Sequence, residues 1–312
     1  MRTRFSRTSL ALIASVTAFA VLATVAMAAR IVGDDGNNVL TGTPSRDRIV
    51  AKGGNDIVNA LAGPDRVFAG TGDDTVHGDA GRDFVRGGAG NDTITGNDNR
   101  DSLHGNSGND RIFGYQDGDY ITGNAGDDFL QGDVPNAGDR TSPDRVYGGT
   151  GNDTVIGGDG IDRLHGGDDN DTINGNGGRD LISGGRGNDT SHGNGGNDRI
   201  FANLGVDESF GDDGNDDLWA LAHGDVTGPG DPTGDTLHGG NGNDRFHVRD
   251  GEVDHIDCGD GFDRVRADQY DVIVDATAEN ANGSCERVLR SSVPDSDSTE
   301  GSTQSPSADG GQ

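Results

Sequence analysis

The chain has 312 residues with 54 acidic against 24 basic side chains, a formal net charge of −30 and 56 glycines. Apolar residues make up 30% and aromatics 5%, too few for an ordinary globular core, which leaves a disordered chain or a repeat fold. The charge argues against nucleic acid and anionic bilayers as partners and makes a hard multivalent cation the natural counterion.

Residues 1–28 read as a secretory signal peptide. Arg2, Arg4 and Arg7 precede an apolar run from Leu10 to Val25, and small residues follow at Ala26-Met27-Ala28. The alternative, an uncleaved anchor, would want a longer apolar run. No second apolar segment follows, so a secreted, extracellular chain without membrane insertion is expected. Losing those three arginines leaves 21 basic against 54 acidic residues, a net charge of −33.

A nine-residue period starts at Gly33. Eleven nonads run without a gap to Gln131, and a sixteen-residue unit follows from Gly132 to Tyr147. Eight more nonads run from Gly148 to Trp219, then a second long unit from Ala220 to His238. Gly239–His247, an irregular Val248–Asp257 and Cys258–Arg266 complete the series. Twenty of the twenty-one unbroken nonads have Asp at position six, the first having Asn38. Nineteen have a large apolar residue at position eight, the exceptions being Ser191 and Ser209. A disordered acidic chain does not hold such a phase, so the repeat is structural.

Gly87-Gly88-Ala89-Gly90-Asn91-Asp92-Thr93-Ile94-Thr95 shows the unit in full. Its first six residues have turn chemistry, with glycines accepting φ > 0 so that backbone carbonyls can converge. Asp92 adds a carboxylate, and such hard oxygens suit Ca²⁺. The last three residues predict a very short half-buried strand.

These nonads resemble the RTX, or haemolysin-type, calcium-binding repeats, over essentially all of residues 33–266. The resemblance implies an all-β fold, a right-handed parallel β-roll with two nonads per coil and Ca²⁺ held between successive turns on each edge. It implies as ligands the carbonyls of the glycine-rich turns and the position-six aspartates. Those of the first block are Asp47, Asp56, Asp65, Asp74, Asp83, Asp92, Asp101, Asp110, Asp119 and Asp128. Those of the later nonads are Asp153, Asp162, Asp171, Asp180, Asp189, Asp198, Asp216 and Asp244. Two turns depart from the pattern: Asn38 lacks the charge, and Ala202 to Asp207 is poor in glycine, which puts calcium there in doubt.

Position five tests the coil length within the sequence itself. In the first block Asn or Asp occupies it in every odd nonad and in no even one, so the true period is eighteen and the two edges differ. Aspartates such as Asp74, Asp92 and Asp110 then stack about 4.8 Å apart. Such a column repels itself unless an ion lies between its members. On the even edge Ser45, Asn99 and Asp117 replace a glycine, and Asn and Asp tolerate the left-handed conformation. There Arg46, Arg82 and Arg100 either replace calcium as countercharge or point into solvent; position five adjoins rather than faces the ion, which favours solvent.

The roll is expected over 29–266, with surface insertions near 133–143 and 222–234 that read as bulges more than as binding loops. His77, His104, His165, His192, His238 and His247 all fall at position nine, but neighbours such as His77 and His104 lie on opposite faces. They predict solvent-facing strand residues and no zinc site. Residues 267–290 predict a cap, with Cys258 joined to Cys285 as expected for two cysteines of an exported chain. Residues 291–312 read as a disordered tail.

No catalytic residue is expected, since G-x-S-x-G and H-E-x-x-H are absent and no segment has globular composition. The leading reading is a secreted multi-site calcium-binding roll with a structural, adhesive or matrix role. Its partners would be calcium ions and extracellular polysaccharide or cell-surface components. The alternatives are an enzyme or accessory module acting on extracellular polysaccharide and, remotely, an ice-binding solenoid, for which position three shows no ordered row of one residue.

Overall fold

The computed structural model describes residues 27–133, 142–220, 233–277, 280 and 283–291. Most of the expected leader, the interiors of both insertions and the tail lie outside the described residues. Among the described residues the regular structure is all β-strand, in two parallel 14-stranded sheets. The chain crosses from one sheet to the other at each turn, so each strand pairs with the strand one coil later. The fold is a parallel β-solenoid of the β-roll type.

The register carries the eighteen-residue period directly. Val67 pairs with Val85 and Val85 with Leu103 in the first sheet, and Val76 with Ile94 in the second. The insertions lengthen the offset without breaking the phase, pairing Ile121 with Val146 and later Leu218 with Phe246. The strands are longer than the nonad predicts. The strand Phe84–Ala89 starts at position seven and continues through position three of the next nonad. Position two makes this possible. It turns the chain at positive φ, as at Gly88 (φ 128°) or Asn106 (φ 87°), yet those two residues still pair across neighbouring coils. The expected left-handed residues at position four are found at Asn99 (φ 75°) and Asp117 (φ 66°).

Positions seven and nine face outward and position eight faces the partner sheet, as the burial of Ile94 and Leu103 shows. One aliphatic side chain per strand therefore forms a thin seam. Ser191 and Ser209 sit in register and buried, so hydroxyls interrupt the seam there. One apolar cluster ends at Ile200 and a second begins at Leu218. The histidines lie on the outward side as expected but are half-buried, and neighbouring rings cover most of them: His192 stacks on Phe210 at 4.3 Å and His247 on Trp219 at 3.6 Å.

Cys258 and Cys285 are joined by a disulfide and are both buried in the second cluster. Their separation of 27 residues makes the cross-link worth roughly 3.5 kcal/mol in the chain-entropy model. The strand Arg287–Arg290 pairs with Arg264–Ala267 and ends the first sheet. Contacts in a solenoid are nearest-neighbour, so Cys285→Ser is expected to loosen the last coils and leave the rest. Amide exchange is the check: lost protection should be confined to strands after Leu218, and uniform loss along the chain would contradict this.

Candidate metal centre

Every candidate aspartate is buried, at 3% exposure or less. The coil places them in two columns, one along each edge. Asp56, Asp74, Asp92, Asp110, Asp128, Asp153, Asp171 and Asp189 line the first; Asp47, Asp65, Asp83, Asp101, Asp119, Asp162, Asp180, Asp198, Asp216 and Asp244 line the second. One hydrogen bond repeats throughout. The backbone N–H of each aspartate donates to Oδ1 of the aspartate one coil later, as from Asp74 to Asp92 at 2.8 Å and from Asp83 to Asp101 at 2.7 Å.

Oδ1 is thus committed to the backbone, while Oδ2 has no hydrogen-bond partner at Asp74, Asp92, Asp101, Asp110 and most other column members. A buried carboxylate oxygen without a partner is costly. Its surroundings are the same from coil to coil. A Cβ built on Gly148 would come within 2.2 Å of Asp153 Oδ2 and 2.5 Å of the Gly166 carbonyl oxygen. The bare glycine at position one therefore lets a carboxylate and a carbonyl of the next coil, both hard oxygens, converge where a side chain would stand. Where position one is alanine, as at Ala51, Ala60, Ala69 and Ala202, a buried methyl takes that place below Asp56, Asp65, Asp74 and Asp207.

The electrostatics agree with the geometry. Burial, reinforced by the neighbouring carboxylates of the column, raises Asp92 to about 7 and Asp101 to about 8. Asp119 and Asp144 rise to about 9 for the same reasons, with Arg100 partly offsetting the effect at Asp144. Protons or a cation must neutralise these columns.

The sequence profile described as RTX calcium-binding nonapeptide repeat (4 copies) matches residues 32–67, 59–94, 95–130, 142–160, 147–182, 156–190, 183–218 and 229–265. The chain belongs to the RTX calcium-binding nonapeptide-repeat family. A search of curated proteins gives no match. The orphaned oxygens and carbonyl-lined spaces of this RTX roll fit the calcium that the family name specifies.

The structure adds column members beyond the eighteen candidate aspartates. Asp144 and Asp235 end the two long units and enter the columns through Asp119 and Asp207. Asp207, Asp254 and Asp263 also join, accepting from Asp189, Asp235 and Asp244. The half-repeats Asp144-Arg145-Val146-Tyr147 and Asp235-Thr236-Leu237-His238 were the available signal for the first two. Asp254 lies in the irregular unit, where Asp254-His255-Ile256-Asp257 carries the same half-repeat.

The position-five alternation has a specific cause. On the first edge each Asn or Asp side chain accepts a backbone N–H from position five of the next coil, as Asn91 accepts from Asn109 at 2.7 Å. This outer ladder runs through Asn152, Asn170 and Asn188, and a matching one appears on the other edge from Asn197 to Asn243. Among the even-edge arginines, Arg100 does not simply extend into solvent. Its Nε donates to the Gly118 carbonyl at 2.7 Å, one coil on, so it stands in for the ladder and also lends charge to Asp144.

Proposed function

We propose that the RTX roll of this chain binds many Ca²⁺ ions, one set along each edge, and that this binding drives its folding. The observation carrying the proposal is the buried, partnerless Oδ2 repeated in register along both columns. Each ion would join the carboxylates and turn carbonyls of adjacent coils, converting the repulsion within a column into attraction. The full spaces at Asp83, Asp92, Asp101, Asp110, Asp119, Asp128, Asp153, Asp162, Asp171, Asp180, Asp189, Asp198, Asp216 and Asp244 are the strongest ligand positions. Asp47 stands apart from them: Gly42 is at its position one, but its Oδ2 already accepts the Thr43 backbone N–H. The alanine-blocked turns at Asp56, Asp65, Asp74 and Asp207 bind more weakly.

The chain is read as exported through its signal peptide, with residues 29–266 as the roll and 267–290 as its disulfide-closed cap. Repeats occupy nearly all of it, which supports a structural, adhesive or matrix role over catalysis. The test is a calcium titration of the chain lacking residues 1–28, followed by far-UV circular dichroism at pH 8. The expected result is an unfolded chain in chelator that becomes β-rich, with a midpoint of about 10⁻⁴–10⁻³ M calcium. A spectrum already β-rich in excess chelator and unchanged by calcium would reject the proposal.

A further inference from the structure

The two outer faces of the roll carry very different charge. Among the described residues thirteen arginines lie in the strands of the first sheet, against one, Arg111, in those of the second. They stack in register. Arg48 pairs with Arg66, Arg145 with Arg163, and Arg264 with both Arg245 and Arg287. All seven are exposed; six stand at position seven of their repeats, and Arg287 of the cap pairs in the same row. Like charges directly opposite one another about 4.8 Å apart destabilise a sheet. Folding does not require them, because position seven of the second sheet is threonine in register at Thr75 and Thr93 and again at Thr154, Thr172 and Thr190. Nor does neutralising a chain of net charge −30 explain a one-sided row, since arginines on both sheets would serve equally.

Aromatic rings fill the gap between the first and second groups of arginines. Phe68, Phe84, His104, Tyr120 and Tyr147 form a continuous half-buried ladder with centroids 5.2 to 6.0 Å apart. Arg48 lies over Phe68 at 5.3 Å and Arg86 over Phe84 at 5.1 Å. Farther along, Trp219 stacks on His247 at 3.6 Å with Phe201 buried beside them, and Asp217 between Arg199 and Arg245 pairs with both, so the row is weakest there.

We propose that this face is a binding row for a linear acidic polysaccharide. Guanidinium groups would hold the sulfate or carboxylate substituents, and the rings would stack on the C–H faces of the sugars between them. The shape selects among polyanions. The row advances one strand per step and is two side chains wide, and exposed acids such as Asp98, Asp127 and Asp168 flank it at the edges of the roll. A thin chain fits between those rims, whereas a planar bilayer meets them. Phosphates of a duplex strand advance about 3.4 Å and wind around an axis, which a row stepping along one sheet at about 4.8 Å does not follow.

The proposal needs the folded roll but does not depend on calcium being what folds it. The experiment is therefore done on protein shown to be β-rich by circular dichroism, whatever the calcium level required. Dextran sulfate and uncharged dextran are titrated at physiological ionic strength, with duplex DNA and anionic phospholipid vesicles as parallel probes. Dextran sulfate is expected to bind, with affinity falling as salt rises, and the other three at least tenfold more weakly. Arg48→Gln combined with Arg66→Gln should weaken binding about tenfold, as should Arg145→Gln with Arg163→Gln. Arg-to-Lys versions should recover part of the loss, and Arg111→Gln on the opposite face should change nothing. No binding of dextran sulfate, equal binding of DNA or vesicles, or binding indifferent to the paired substitutions would overturn the proposal. The last outcome would mean that the polyanion is held through calcium at the edges.

Discussion

Replacing Asp92 with asparagine is expected to raise the calcium midpoint for folding about tenfold, equivalent to roughly 1.4 kcal/mol. The substitution keeps an Oδ1 that can accept the Asp74 N–H, so the repeating backbone contact survives. It removes the negative charge at an oxygen with no protein partner. In chelator the sign should reverse. Without a cation the charge only adds to a repelling column, so Asp92→Asn should need less of a folding osmolyte to form the roll. Asp101→Asn should behave alike, because Asp101 makes the same contact to its column and its Oδ2 is equally without a partner. The check is a calcium titration and a trimethylamine N-oxide titration in chelator, both followed by circular dichroism. Destabilisation in both conditions would assign the carboxylates to hydrogen bonding alone. A shift at Asp92 but not at Asp101 would show that only one edge is loaded.

Acid is expected to favour the calcium-free roll and to weaken the calcium-bound one. Burial lifts Asp110 to about 6, and burial with neighbouring carboxylates lifts Asp92 to about 7, Asp101 to about 8, and Asp119 and Asp144 to about 9. The ordinary value, 3.8, applies in the unfolded chain. Between these values the folded state binds more protons than the unfolded one, so its stability rises as pH falls. In chelator, β-structure should therefore grow as pH drops from 9 toward 5, with no further gain from these groups once the unfolded chain protonates near 4. With calcium present, protons compete for the same oxygens, and the calcium midpoint should climb over the same range. Circular dichroism at stepped pH measures both. A calcium midpoint indifferent to pH between 9 and 6 would contradict the account.

The repeat made most of this fold legible. Position eight named the seam residues, position six named the columns, and the odd–even alternation at position five gave the eighteen-residue coil. The meaning of that alternation was not legible, because an asparagine that accepts a hydrogen bond from the next coil looks in sequence like one that faces solvent. Strand length was misjudged for a related reason: glycine reads as turn, yet Gly88 bends the chain while pairing with Gly70 and Asn106. The inserted units hid Asp144 and Asp235 from a strict nine-residue count, although both columns pass through them. The exposure of the histidines was missed because their cover comes from rings one coil away, as His104 lies beside Phe84 and Tyr120. Arginine clustering on one sheet was present in the sequence and becomes visible once alternate nonads are separated.

Crystals grown with calcium and measured for anomalous scattering would test the central claim most directly. The account predicts two rows of peaks, one along each edge, each peak beside a position-six Oδ2 and a turn carbonyl, and weakest at the alanine-blocked turns of Asp56, Asp65 and Asp74. Carboxylate columns without anomalous peaks, or peaks confined to the exposed acids of the surface, would contradict it.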